Sequence, residues 1–183
     1  MILALIALCC ASASVGSGAS SVPPHEDVAR MARFVVNKCD WASMATISSH
    51  EPVKGQPFSN SFSISDGPAG NGTGTPYLYL THLEISVQDL QVDDGEVSVA
   101  KDSLFSRHPE MMDWPTDHSW FFAKMNISQV WVLDYFGGVK TVTPEQYYKA
   151  TPYRKYHGND THNVDEPHGS TDKILSRISA EHH

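Results

Sequence analysis

The sequence predicts a single α+β domain dominated by β-strands, spanning residues 24–150. Several short runs are rich in aromatic and β-branched residues, as strands are, and clusters of Gly and Pro separate them. Helical patterns flank and interrupt these runs, which gives the order helix, strands, helix, hairpin, helix. No internal repeat is present, so one core is expected.

Residues 24–38 predict the first helix. Pro23 and Pro24 suit a first helical turn, and Glu26 and Asp27 complement the positive end of the helix dipole. One apolar stripe recurs at positions i, i+3, i+4 and i+7 and is expected to face the core. The stripe consists of Val28, Met31, Ala32 and Val35.

The strands are predicted from composition and alternation. Within residues 58–65, the apolar side chains Phe58, Phe62 and Ile64 share one face, and serines lie between them. The sequon at Asn126 separates the last two strands, which predicts a hairpin. The predicted strands are residues 41–48, 58–65, 77–81, 96–100, 120–125 and 129–135, with a turn over 51–57 and a loop over 66–76.

Two more helices are predicted, and one segment is ambiguous. Residues 102–108 predict a helix that stops before Pro109. The run Thr143-Pro144-Glu145-Gln146 is a capping box with Pro at the first helical position, so a helix should extend to about Ala150. Residues 83–90 fit either a strand or a helical face.

Residues 1–13 predict a cleaved signal peptide. Residues 2–8 are apolar, and Ala11-Ser12-Ala13 is a small-x-small site, so cleavage is expected after Ala13. The apolar run is shorter than the roughly 20 residues that a membrane span needs, and no later run is longer. A buried N-terminal helix is the alternative, but residues 14–23 form a Ser- and Gly-containing, flexible segment. The mature chain is therefore expected in the secretory lumen or outside the cell.

Charge, cysteine content and the tail agree with a secreted protein. The net charge of −8 argues against a nucleic-acid partner, whose phosphates attract Lys and Arg. Loss of the leader removes Cys9 and Cys10, so Cys39 has no internal disulfide partner; a buried thiol is the favoured interpretation over an intermolecular bridge or a lost partner. Residues 151–183 hold half of the ten histidines in a polar context and are predicted to be disordered.

Three N-glycosylation sequons fit the same compartment. They begin at Asn71, Asn126 and Asn159. Because a glycan is bulky, each modified residue must lie at the surface. Asn71 falls in the Gly-rich loop, Asn126 between two strands and Asn159 in the polar tail.

No catalytic motif is present. The chain has no Gly-x-Ser-x-Gly elbow, no phosphate-binding loop, no His-Glu-x-x-His and no paired Cys-x-x-Cys. His108 and His118 flank one short segment, but no Cys or carboxylate spacing supports a metal site there. The histidines of residues 151–183 are irregularly spaced. The sequence therefore predicts neither an active site nor a metal centre.

The most distinctive segment, residues 107–148, resembles the CREG family, the cellular repressors of genes stimulated by an adenoviral early protein. The similarity extends over residues 29–90 and 97–150, and the long motifs make it specific. The matching motifs are Arg-His-Pro-Glu-Met, Trp-Pro, Trp-Phe-Phe-Ala-Lys-Met-Asn-Ile, Trp-Val-Leu-Asp-Tyr-Phe-Gly-Gly and Thr-Pro-Glu-Gln-Tyr-Tyr.

The resemblance implies a split β-barrel like that of the pyridoxamine-phosphate oxidases, assembled as a homodimer, with an occluded flavin pocket. It also implies a secreted or endolysosomal glycoprotein that binds the cation-independent mannose-6-phosphate receptor and acts in growth and differentiation. Asn126 stands where the family has a sequon. The predicted strands at 41–48 and 58–65 carry no positive charge for an FMN phosphate, which leaves only Lys54, Lys101 and Arg107 as contacts.

Two departures from the family pattern matter. The family has further strands, with a Cys pair, where this chain has only residues 91–96 between Leu90 and Val97. A barrel that lacks strands cannot close in the same register and exposes unpaired edges. The tail after Ala150 also differs. Two alternatives therefore stand beside a receptor-binding glycoprotein: an FMN-binding oxidoreductase and a non-functional isoform.

Overall fold

The computed structural model describes residues 6–7, 22–90, 97–133 and 137–153. Helices and strands alternate through these residues, which confirms the α+β class. The helices are α1 (Val28–Lys38), α2 (Ile85–Gln88), α3 (Val97–Phe105) and α4 (Pro144–Lys149), with 3-10 turns at Pro109–Asp113 and Thr116–His118. The strands are β1 (Ile6–Ala7), β2 (Trp41–Ile47), β3 (Pro57–Ser63), β4 (Tyr77–Leu80), β5 (Phe121–Lys124), β6 (Val130–Leu133) and β7 (Val139–Val142).

The strands form three antiparallel sheets, ordered β1-β2-β3, β4-β5 and β6-β7. Strand β2 pairs with β3 along its whole length, from Trp41 opposite Ser63 to Ile47 opposite Pro57. A bridge between Ser65 and Tyr77 connects the first two sheets. Within the part of the chain that the structure describes, the sheets do not close into one barrel.

Alternation along β2 positions the main core. Ala42, Met44 and Thr46 are buried, whereas Trp41 and Ile47 are exposed, because successive side chains of a strand point to opposite faces. Three apolar clusters follow from this packing, one on β2 to β5, one beneath α3 and one between α1 and α4. Their buried members are Ala42, Ile64, Leu78, Leu80, Val87 and Ala123; Tyr77, Ala100, Leu104 and Met111; and Ala32, Val142 and Tyr147.

The predicted hairpin through Asn126 is wrong. Strand β5 pairs with β4, with Tyr77 opposite Lys124, and β6 pairs with β7. Strand β7 itself was not among the predicted strands. Composition identified β5 and β6 as strands, but it carries no information about which strands hydrogen-bond to each other.

The predicted strand at 96–100 is also wrong, because residues 97–100 belong to the first turn of α3. Ala100 and Leu104 are both buried and lie one helical turn apart, so packing on β4 and β5 favours a helix over the local alternation. The ambiguous segment 83–90 contains the short helix α2, with Val87 buried. Helix α1 begins at Val28, later than predicted, since Asp27 is its N-cap.

Candidate functional site

The sequon residue Asn126 lies exposed in the connection between β5 and β6. Its neighbours are anchored: the Met125 amide donates to the Pro76 carbonyl over 2.9 Å, and Ile127 packs against the cluster between α1 and α4. A glycan on Asn126 would therefore extend from a well-supported backbone into solvent.

Asn71 is exposed as well, at the tip of the loop between Ser65 and Tyr77. The Asn71 amide donates to Pro68 over 3.0 Å, and the Thr73 hydroxyl donates to the Asp66 carbonyl over 3.1 Å. The third sequon residue, Asn159, and the predicted cleavage site, Ala13, lie outside the described residues.

Beneath the Asn71 loop lies a buried polar cluster centred on Asp66. Asn37 donates to one carboxylate oxygen over 2.7 Å, and the Gly74 amide donates to the other over 3.0 Å. Burial raises the pKa of Asp66, although these two hydrogen bonds and the charges of Arg33 and Arg107 oppose the rise. The carboxylate therefore stabilises the loop at a cost in desolvation.

Arg33 joins this cluster to the end of the domain. Its guanidinium is buried and donates to the carbonyls of Gly72 over 2.8 Å and Ala150 over 3.0 Å. It also lies 5.4 Å from the centre of the Tyr147 ring, whose hydroxyl donates to Gly74 over 2.7 Å. Helix α1, the Asn71 loop and α4 are thus tied together by side-chain to backbone hydrogen bonds.

The apolar stripe of α1 did not identify this cluster. Arg33 and Asn37 are buried on the same helix as Ala32. The sequence feature that could have predicted the cluster is the spacing of Arg33 and Asn37, since two polar residues four positions apart lie on one helical face.

The three residues considered as FMN contacts lie on different elements. Lys54 is exposed in the turn between β2 and β3, and Lys101 lies on α3 with its ammonium 5.8 Å from the Phe105 ring centre. Arg107 donates to the carbonyls of Asn37 and Lys38 and to the Asp40 carboxylate, so protein acceptors already occupy its guanidinium. These contacts do not form the cluster of donors that a phosphate requires.

An open cavity of about 420 Å³ lies between α3, the 3-10 turns and β4-β5. The Tyr79 ring is stacked against Trp114, Trp120 and Phe122, with interplanar angles of 20°, 25° and 22°. Of the residues that line the cavity, Tyr79 and Lys101 have ionisable side chains. The cavity therefore offers packing surface and no acid–base pair. The lining residues are Tyr79, Lys101, Phe105, Met111, Met112, Trp114, Thr116, Ser119, Trp120 and Phe122.

The histidine pair and the cysteine have separate surroundings. The Nε2 atom of His108 lies 2.9 Å from the Ile64 carbonyl, whereas the His118 ring lies 5.8 Å from the Trp120 ring, tilted by 37°. Across the described ranges, no group of three or more metal-ligating side chains occurs. Cys39 is buried.

Among the described residues, none of the helices combines the length and the hydrophobicity that a membrane span requires.

The family described as "CREG, beta-barrel" matches residues 23–98 and 91–149. The chain is 45% identical to the protein CREG1 of Gallus gallus, over 82% of this chain and all of that protein. It is 45% identical to CREG1 of Homo sapiens over 71% of this chain and 77% of that protein. CREG2 of Mus musculus is 33% identical over 74% of this chain and 62% of that protein.

Proposed function

This chain belongs to the CREG family, and from that premise we propose that it is a secreted or endolysosomal glycoprotein that acts by binding a receptor and not by catalysis. The observation that carries the proposal is the exposure of Asn126, the sequon shared with the family pattern, in a chain that begins with a leader-like segment. The proposed receptor is the cation-independent mannose-6-phosphate receptor, and the proposed role is control of growth and differentiation.

The proposal excludes flavin chemistry. Arg107, the residue best suited to bind a phosphate, is held by Asp40 and two carbonyls, and Lys101 faces an aromatic ring. A colourless purified protein without flavin absorbance is expected. A yellow protein that retains stoichiometric FMN through gel filtration would contradict this part of the proposal.

A homodimer is part of the proposal, and the outer face of the β6-β7 ribbon supports it. Trp131 and Leu133 are 57% and 73% exposed and point to one side of β6. Val139, opposite Leu133 in register, adds a third exposed apolar side chain to that side. Exposed apolar patches commonly mark contacts between proteins.

Sedimentation velocity tests this face. The Trp131→Ser, Leu133→Ser double variant should sediment as a monomer where the unchanged chain is a dimer. Leu83→Ser, which removes a similarly exposed leucine from a different element, should remain dimeric. Equal dimerisation of both variants would place the dimer contact elsewhere.

We also propose that a barrel segment is missing between Leu90 and Val97. The two family matches overlap at residues 91–98. The alignment to the Gallus gallus protein is 192 residues long, yet it covers only 82% of this chain of 183 residues, so the alignment has more positions than this chain supplies residues. This difference supports the proposal that the relative carries residues that this chain lacks. The separate sheets fit an incomplete split barrel. The open strand edges of such a barrel would cause a fraction of the expressed protein to be retained in the secretory pathway and degraded.

One expression experiment tests the main proposal. The chain is expressed in secreting cells, and the medium is compared before and after glycosidase treatment for the unchanged chain, Asn126→Gln and Asn71→Gln. We expect the secreted product to lack leader residues 1–13. Its glycosidase-sensitive mass should be smaller in Asn126→Gln, and free mannose 6-phosphate should elute the unchanged chain from immobilised receptor. An unglycosylated product that retains its leader in the cytosol would end the proposal.

A further inference from the structure

The carboxylate of Asp89 lies at the end of α2 with none of its side-chain surface exposed. It accepts hydrogen bonds from the Ser49 amide and hydroxyl, each over 2.7 Å, and from the Thr46 hydroxyl over 2.9 Å. Two of these three bonds end on the same oxygen, so the lone-pair position that stays free lies on the oxygen that accepts from Thr46. Asp89 therefore holds the end of β2, and the turn after it, against α2.

His50 lies beside the carboxylate oxygen that accepts both bonds from Ser49. Its Nε2 atom lies 3.8 Å from an Asp89 carboxylate oxygen, beyond hydrogen-bond length but within the range of an ion pair. That nitrogen is buried and has no hydrogen-bond partner among the described residues. A neutral imidazole thus leaves a buried polar atom unsatisfied, and a protonated one would face an anion.

We propose that His50 and Asp89 form an acid-dependent ion pair that fastens the turn between β2 and β3 to the end of α2 when the pH falls from neutral to about 5. Protonation gives Nε2 a donor and a positive charge, and a shift of about 1 Å brings it to hydrogen-bond distance of the carboxylate. The endolysosomal setting of this pair rests on the proposed function, but its formation in the purified protein does not.

The surrounding charges favour this assignment. Burial alone would raise the pKa of Asp89, but the bonds from Ser49 and Thr46 and the charge of His50 outweigh it, so the pKa is lowered and the carboxylate stays ionised in mild acid. Of the other charged groups on these elements, Glu51 and Lys54 are exposed in the turn, and Glu84 accepts from the Asn60 amide over 2.7 Å. Asp89 is the partner that faces His50.

Hydrogen–deuterium exchange of the peptide covering residues 48–57 tests the pair in the purified full chain. After correction for intrinsic exchange rates, protection should be roughly fivefold greater at about pH 5 than at about pH 7.4. His50→Gln keeps every bond to Asp89 yet should lose this increase, and His25→Gln, at a half-buried histidine beside Glu26, should retain it.

Asp89→Asn should also abolish the increase, but it loosens the turn at both pH values because Ser49 and Thr46 lose an ionised acceptor. For that reason His50→Gln decides the question. Equal protection of the unchanged chain at the two pH values, or an acid-induced increase that survives in His50→Gln, would overturn the proposal, whatever the secretion experiment finds.

Discussion

The side-chain amide of Asn37 donates to the Asp66 carboxylate over 2.7 Å, a bond that joins α1 to a loop 29 positions further along the chain. The same asparagine accepts through its oxygen from the Gly70 amide over 2.8 Å and from the Tyr153 hydroxyl over 2.6 Å. Asn37 and Asp66 are both fully buried, so a defect in either leaves the other unsatisfied. This pair sets the position of the loop that carries Asn71.

Asp66→Asn should lower the free energy of unfolding by about 1–3 kcal/mol at neutral pH. An asparagine offers one acceptor oxygen, so its amide group would face either the Asn37 amide or the Gly74 amide, both of which are donors. Urea denaturation followed by tryptophan fluorescence measures the loss. A variant as stable as the unchanged chain would show that the carboxylate bonds contribute nothing net.

The difference in unfolding free energy between the unchanged chain and Asp66→Asn should depend on pH. Because the pKa of Asp66 is raised on folding, the folded state binds its proton more tightly than the unfolded state does. Its contribution to stability is therefore fully present below the ordinary value of 3.8 and is lost as pH rises through the raised pKa. The unchanged chain should gain stability relative to Asp66→Asn as pH falls toward 4. A difference that is constant with pH, or that shrinks on acidification, would contradict the assignment.

Gly72→Ala should be among the most disruptive single-methyl changes in the loop. A Cβ atom at Gly72 would lie 2.1 Å from an Asp66 oxygen and 2.4 Å from the Asn37 amide nitrogen, so the buried pair would have to separate. We expect a loss of about 3 kcal/mol, at the upper end for overpacking.

Gly70→Ala is the matched control for that change. Gly70 lies in the same loop with a φ of +84° and has open space where its Cβ would be, so alanine there adds only backbone strain, about 1–2 kcal/mol. Thermal unfolding of the two variants separates clash from strain. If Gly70→Ala costs as much as Gly72→Ala, contact with Asp66 is not the cause.

Local features were predictable from the sequence, and non-local ones were not. The capping box is present as predicted, since Thr143 and Gln146 exchange both of its hydrogen bonds within one helical turn. Arg33 was not predicted to be buried, because its acceptor Ala150 lies 117 positions away and no local pattern encodes it. The hairpin through Asn126 failed for the same reason, since the partner of β5 is β4 and not the adjacent strand. Of the candidate sites, the surface positions of Asn71 and Asn126 were predictable, because polar residues between strands lie in exposed turns.

Tyr147→Phe should destabilise the domain by about 1 kcal/mol without changing its packing. The ring is 1% exposed, and its hydroxyl donates to the Gly74 carbonyl over 2.7 Å, so phenylalanine keeps the buried ring and leaves that carbonyl unsatisfied. Burial also raises the pKa of Tyr147, so the hydroxyl is a neutral donor at neutral pH.

The neighbouring residue provides the control. Tyr148 is 43% exposed, and its hydroxyl bonds to the exposed Thr75 hydroxyl over 3.2 Å, so water can replace the lost partner in Tyr148→Phe. The free energy of unfolding of that variant should lie within about 0.5 kcal/mol of that of the unchanged chain. Chemical denaturation of both proteins gives the comparison. If the two variants lose equal stability, the bond to Gly74 does not hold α4 on the Asn71 loop, and the buried ring alone is responsible for that contact.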